Sequence, residues 1–354
     1  MYESFYIYLN GNTNNNNLYM IISEQRLNEI FSLFNGKRIA VVGDLMLDSY
    51  YWGNVNRISP EAPVPVVEIE SESLRLGGAA NVANNIKALG GIPILFGVVG
   101  VDQNGTKLEN IATENGFDIA GIVQDTDRPT TVKTRVIANG QHVVRIDKEV
   151  KKDISKKIYT DLLNKLNSNI LNIDCIILED YNKGVLCHEM IKGAIEIANK
   201  HKKMIAVDPK FNNFFEYKNV GVFKPNRKEA EEALGMRLHD TQSVEIAGDK
   251  LLSALNAESI LITRGELGMS IFSKKENIHH LPTTARKVAD VSGAGDTVIS
   301  TLTMVLSTGA SLLEAAAIAN TAGGIVCGEV GIVPIVKEEL YRTMLEDMNH
   351  LPKS

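Results

Sequence analysis

Residues 288–297 read Val-Ala-Asp-Val-Ser-Gly-Ala-Gly-Asp-Thr. An apolar run ends at Val291, small residues fill Ser292 to Gly295, and Asp296 then opens an amphipathic segment, 297–306, with helical spacing. The pattern predicts that the N–H groups of Gly293, Ala294 and Gly295 stand unpaired at the first turn of that helix. Donors and helix dipole there point the same way, so the turn favours an anion. A carboxylate beside an anion site is electrostatically costly unless the chemistry needs it. Phosphoryl transfer does need it, because a base must take the proton of the hydroxyl that attacks the phosphate held next to it. A plain helix N-cap with a glycine turn would use the same residue types, so other segments must decide.

Several do. Asn226 and Glu229 share a helical face after Lys224-Pro225, and an amide with a carboxylate suits a hydrated magnesium ion held through water near nucleotide phosphates. The same spacing also makes a capping box. Thr263-Arg264-Gly265 follows a strand, where a hydroxyl, a basic side chain and a glycine turn could hold ATP phosphates; an ordinary β-turn has the same composition. Gly77-Gly78 before Ala79-Ala80-Asn81 lets a backbone approach a ligand closely at a helix start and aims Asn81 at it, unless the small residues serve only helix–sheet packing. Asp44, just after the first long apolar run, is an acceptor placed for sugar hydroxyls or a cap for the following turn. Asp180, Lys183, Asp208 and Lys210 end two further strands; two lysines and two carboxylates there suit a phosphorylated, polyhydroxylated substrate, or are loop-surface charge.

The elements that must position these groups alternate. Short apolar runs at 38–43, 94–99, 175–179, 204–207, 220–223 and 260–263 are separated by amphipathic segments of helical length, and the last third is helical at 297–306, 312–327 and 337–348. This predicts an α/β fold with a mainly parallel sheet flanked by helices and ligands at the carboxyl ends of the strands. Residues 64–70 and 131–147 instead alternate apolar and polar, with Asn139-Gly140 as a hairpin turn. They predict a small antiparallel β lid, inserted around 55–75 and 128–147, that covers the open sheet edge and serves as a homodimer contact.

The chain has 354 residues, ample for one large domain, and a formal charge of −6 that argues against a nucleic-acid or membrane-binding surface. Three scattered cysteines fit a reducing cytoplasm better than a disulfide framework, and the first residues carry no secretory signal. Residues 1–20, with Asn14–Asn17, predict a disordered extension ahead of one large domain at 21–354.

The order of Gly77-Gly78, then Asn226-x-x-Glu229, then Gly293-Ala294-Gly295-Asp296 resembles the PfkB, or ribokinase-like, carbohydrate kinases over residues 37–335. Within that superfamily, five runs are similar to the heptose 7-phosphate kinases: Val42–Tyr50, Arg57–Val66 (Arg-Ile-Ser-Pro-Glu-Ala-Pro-Val-Pro-Val), Leu76–Ala83, Asp180-Tyr181-Asn182-Lys183-Gly184 and Asp208-Pro209-Lys210. The resemblance implies an ATP- and Mg²⁺-dependent kinase phosphorylating the anomeric O1 of D-glycero-β-D-manno-heptose 7-phosphate, in ADP-heptose supply for lipopolysaccharide. It implies Asp296 as base and Asn320 among the ATP contacts; the distal phosphate would need a cation well away from Asp296, for which Arg57, Arg145 and Lys183 are the candidates. The chain holds no His-x-Gly-His nucleotidyltransferase motif, which predicts the single-function form. A kinase of an unphosphorylated sugar (a fructokinase or ketodeoxygluconate kinase) and a catalytically silent sugar-binding relative are the alternatives.

Two positions depart from the heptose kinase pattern. Phe211 stands where glycine usually follows Asp-Pro-Lys, and Val330–Pro334 is less polar than usual.

Overall fold

The structure is a computed structural model that describes residues 4–8, 18–275, 277–283, 288–329 and 331–349. The strands in chain order are β1 (Ser4–Tyr8), β2 (Leu18–Ser23), β3 (Arg38–Gly43), β4 (Leu45–Ile58), β5 (Pro65–Gly78), β6 (Ile92–Gly100), β7 (Asp118–Asp125), β8 (Thr131–Ala138), β9 (Gln141–Lys148), β10 (Cys175–Glu179), β11 (Met204–Asp208), β12 (Val222–Phe223), β13 (Ser259–Thr263), β14 (Met269–Ser273) and β15 (His279–Leu281). The helices are α1 (Glu24–Ser32), α2 (Ala79–Ala88), α3 (Gln103–Glu114), α4 (Lys156–Asn169), α5 (His188–Lys200), α6 (Arg227–Leu234), α7 (Thr241–Leu255), α8 (Ala294–Leu306), α9 (Leu312–Val326) and α10 (Lys337–Asn349).

Nine strands form the central sheet in the order β15-β14-β13-β12-β11-β10-β3-β6-β7, parallel from β13 through β7. Its inner strands are near-continuous apolar runs because helices cover both faces. In β3, Ile39 and Val41 join the core under α2, α8 and α9, while Ala40 and Val42 join the core under α4, α5 and α7. After β3 the chain builds outward to β6 and β7; from β10 onward it builds in the opposite direction. The switch point, where an open α/β sheet leaves a crevice, therefore lies between the carboxyl ends of β3 and β10.

The lid is larger than the sequence predicts and not wholly antiparallel. Four strands run in the order β5-β4-β8-β9, two antiparallel hairpins joined by a parallel β4–β8 pair. The first six residues of β4, Leu45–Tyr50, are buried on both faces, so they lack the alternation that marks the rest of the lid. The C-terminal edge also gains two antiparallel strands, β14 and β15, that the sequence reading left unassigned.

Two further expectations change. Within the leader read as disordered, β1 and β2 pair antiparallel, in keeping with their aromatic and β-branched content; residues 1–3 and 9–17 lie outside the described residues. The helix read as opening at Asp296 begins at Ala294 behind Gly293 at φ +81°, so Asp296 sits inside the first turn. The apolar run before it is no strand: Val288 and Val291 are exposed.

Candidate active site

The switch-point crevice is organised by two buried carboxylates. Asp44 leaves β3 and accepts N–H groups from Tyr181 at 2.9 Å, Lys183 at 3.0 Å and Val185 at 3.1 Å. Burial pushes its pKa up, against these three backbone donors. Asp44 thus folds the loop after β10, with both its oxygens accepting from backbone. Asp180 accepts from Asn182 N and Tyr217 OH, each at 2.7 Å, and burial together with nearby Asp44 pushes it up to about 6.

The folded loop delivers Tyr181 to Asp296. The tyrosine hydroxyl donates to Asp296 Oδ1 at 2.7 Å, and Asn81 Nδ2 donates to Oδ2 at 2.6 Å. Burial raises the Asp296 pKa, and the two donors oppose that rise. Asn81 reaches this position because β5 turns sharply into α2. Gly78 has φ +58°, and a Cβ on it would lie 2.4 Å from the Asp44 carbonyl oxygen. A Cβ on Gly77 would lie 2.3 Å from Asp48 Oδ2, so only glycine lets this turn rest on the Asp48 carboxylate, which in turn pairs with Arg135.

Beside the glycine turn lies a buried ion pair, Lys224 Nζ to Asp208 Oδ2 at 2.8 Å; a Cβ on Gly295 would lie 3.6 Å from Asp208 Oδ2 and 3.8 Å from Lys224 Nζ. Of the three N–H groups predicted to make the anion site, that of Ala294 is turned to the Val291 carbonyl at 3.3 Å. Those of Gly295 and of Asp296 itself lie in the first turn of α8, which offers no intrahelical acceptor.

A cleft of about 550 Å³ runs from Asp296, Gly295 and Lys224 to Asn226, Thr263, Arg264, Gly265 and Asn320, so five of the six expected ATP contacts share one cavity with Asp296. Asn226 and Glu229 form the reciprocal capping box that their spacing also allowed: Glu229 N donates to Asn226 Oδ1 at 2.9 Å and Asn226 N to Glu229 Oε2 at 2.8 Å. The remaining Glu229 oxygen pairs with Lys210. Desolvation lowers the Lys210 pKa, but Asp208 and Glu229 outweigh it and hold the ammonium well above its usual range.

The carboxylates that converge are Glu179, Asp208 and Asp296, one oxygen of each lying within 4.8 Å of the others. Glu179 Oε2 is buried with no hydrogen-bond partner, and burial with the Asp208 and Asp296 charges raises its pKa strongly. Hard oxygen donors, one of them unsatisfied, fit Mg²⁺ beside a triphosphate. The three cations expected at a distal phosphate are not brought together. Arg57 pairs with Glu68 at 3.8 Å, Arg145 with Asp147 at 3.0 Å and Lys183 with Glu149 at 2.8 Å.

Glu179, Tyr181 and Lys224 escaped assignment from the sequence, whereas Asp208 was read there for the substrate and not beside Glu179 and Asp296. Their shared signal is position: each ends or directly follows a strand at the same sheet edge, as Asp180 and Lys210 do.

Fold and site together define a phosphotransferase acting on a small hydroxylated molecule. The profile described as pfkB family carbohydrate kinase matches residues 37–338, and the chain belongs to this family. It is a sugar kinase with the expected ribokinase-like fold, and the family implies ATP as donor. The bifunctional protein HldE of Geobacter sulfurreducens is 41% identical over 323 residues, covering 91% of this chain and 66% of that protein. HldE of Desulfatibacillum aliphaticivorans is 44% identical over 316 residues, covering 89% and 64%. The chain thus spans about two thirds of the length of these relatives. Among solved structures, phosphofructokinase-2 of Escherichia coli superposes with a TM-score of 0.72 at 19% identity, over 88% of this chain and 99% of that one. Arabidopsis thaliana ribokinase does so with 0.69 at 18% identity, over 90% and 100%. At these identities the likeness is one of fold.

Proposed function

We propose that this kinase transfers the γ-phosphoryl group of ATP to the anomeric O1 of D-glycero-β-D-manno-heptose 7-phosphate, giving the 1,7-bisphosphate and ADP. The observation that carries the phosphotransfer is Asp296, buried at the end of the nucleotide cleft between two donors, with its own helix N-terminus beside it. The heptose reading is supported by the run Arg57–Val66 and by relatives above 40% identity.

Asn81 and Tyr181 orient Asp296, which takes the O1 proton as O1 bonds the γ-phosphorus and the bond to the ADP oxygen breaks. The N–H groups of the glycine turn and the Lys224 ammonium offset charge developing on the transferred group. Asp48 and Asn81, with the Gly77-Gly78 backbone, hold the sugar, and Asn226, Thr263, Arg264, Gly265 and Asn320 hold the nucleotide. Magnesium, held by Glu179, Asp208 and Asp296 or through water from Asn226 and Glu229, would neutralise phosphate oxygens. This reading places the protein in ADP-heptose supply, and the lid as its homodimer contact.

ADP release with magnesium-ATP and a panel of heptose 7-phosphate, heptose, fructose, fructose 6-phosphate and ketodeoxygluconate tests the reading. Turnover confined to heptose 7-phosphate, with a new anomeric phosphate by phosphorus NMR, is expected. Preferred turnover of an unphosphorylated sugar would overturn the substrate, and silence on all acceptors would overturn the activity.

A further inference from the structure

The lid strands carry a charged inner face. In register, Lys133 of β8 stands between Asp48 of β4 and Asp147 of β9, and Arg135 stands opposite Arg145. Both acidic neighbours of Lys133 turn elsewhere: Asp48 pairs with Arg135 and Asp147 with Arg145. The nearby lysines are compensated too, Lys183 by Glu149 and Lys210 by Glu229. Among the described residues Lys133 has neither a hydrogen bond nor an ion pair; its ammonium lies 5.4 Å from the centre of the Tyr181 ring. The hydroxyl of that ring donates to Asp296, so Lys133 lies over the face of the same tyrosine whose hydroxyl meets Asp296. Desolvation, and then the Lys183 charge, lower the Lys133 pKa, and the charges of Asp48, Asp147 and Glu149 only partly offset them.

We propose that Lys133 is the residue that selects a phosphorylated acceptor, its ammonium binding the phosphate at the end of the sugar remote from the attacking hydroxyl. The step adds no chemistry; it supplies the missing negative partner to a cation on the lid while the opposite end of the substrate meets Asp296. Arg57 fits worse, because it lies toward the far end of β4 with its side chain 63% exposed. Arg145 and Lys183 fit worse because each already holds a carboxylate. The inference deepens the substrate reading above and rests on it.

The test compares wild type with Lys133→Met, which keeps the stem and removes the charge, and with Lys133→Arg. Kinetics are measured on heptose 7-phosphate, on unphosphorylated heptose at high concentration, and on ATP. A hydrogen bond to a charged group is worth a factor of about 10–100. The Met variant should therefore raise KM for heptose 7-phosphate by about that factor, with kcat little changed and KM for ATP unchanged. Turnover of unphosphorylated heptose should stay at its wild-type level, so the preference for the phosphorylated sugar collapses; Lys133→Arg should restore part of it. A Met variant that keeps the wild-type preference overturns the role of Lys133 and leaves the substrate reading standing. A variant that loses activity equally on both sugars shows a general structural role and also overturns it. Wild type that does not prefer heptose 7-phosphate overturns the substrate reading and this inference together.

Discussion

At the scale of single residues, Asp296 as the proposed base, with its two donors, makes the sharpest predictions. Asp296 must be ionised to accept a proton, and burial raises its pKa, so activity should fall on the acid side at a higher pH than for an exposed aspartate. Tyr181 and Asn81 hold that rise in check. Tyr181→Phe removes one donor to the carboxylate, so the acid limb of kcat should move to still higher pH; an unmoved limb in a pH–rate profile would mean that the tyrosine does not set the base. Asp296→Asn should lose about 10²–10⁴-fold in kcat while nucleotide affinity, followed by calorimetry, is kept. Lys224 offers a stability test. Its ammonium is buried against Asp208, next to Glu179 and Asp296. Lys224→Ala would leave a buried charge unpaired among carboxylates, which costs about 3–5 kcal/mol; urea unfolding of the apo-protein measures it, and a loss below 1 kcal/mol would show that water reaches the pair.

At the scale of elements, the loop after β10 is the piece on which the site depends and the piece least legible in the sequence. The strand Cys175–Glu179 was legible to the residue because an apolar run is bounded by Asp174 and Asp180. The helix after Asn226 was legible to within one residue, since proline and a cap precede it and Gly235, at φ +62°, ends it. Asp296 and Asn81 were legible because short glycine motifs carry their geometry with them. The fate of Asp44 was not: the N–H groups that capture it come from 137, 139 and 141 residues away, and no local pattern encodes such a partner. The first half of β4, Leu45–Tyr50, was missed for a related reason, its burial on both faces by elements distant in sequence. The same loop predicts a pH effect on stability. Asp180 is raised from 3.8 to about 6 in the folded protein, so the folded state holds this proton more tightly than the unfolded chain. Stability from this group is therefore full below the unfolded value and is lost as pH rises through about 6, a difference of roughly 3 kcal/mol. Asp180→Asn keeps an acceptor and removes the ionisation. The fall in urea midpoint between pH 4.5 and 7.5 should shrink in the variant relative to wild type, and an equal fall in both would assign the pH dependence to other groups.

At the scale of the whole molecule, the lid presents two unlike faces, and their difference predicts assembly. The inner face carries Lys133, Arg135, Arg145, Asp48 and Asp147 over the switch point. On the opposite face, Tyr51, Val136 and Val144 stand in register across β4, β8 and β9, and Ile146 extends the stripe along β9. Every residue of β9 is exposed, with Val144 at 47% and Ile146 at 56%. An edge strand that is long, apolar on one face and uncovered is a pairing surface unless something guards it; β9 carries no proline, and Val144 and Ile146 stand together on its outer face before Lys148. Burying each such aliphatic side chain is worth up to about 1.5–3 kcal/mol, so a twofold contact that covers the stripe on both copies collects it twice. A second copy on the outer face would also stiffen the sheet whose inner face meets the substrate, coupling assembly to acceptor binding but not to the nucleotide cleft, which lies against the main sheet. Light scattering should therefore find twice the chain mass at working concentration. Ile146→Glu, which places a charge in the centre of the contact without touching a site residue, should shift the protein toward monomer and raise KM for the sugar while KM for ATP stays constant. A monomeric wild type would remove the lid as an interface, and a monomeric variant with unchanged sugar KM would separate assembly from the site.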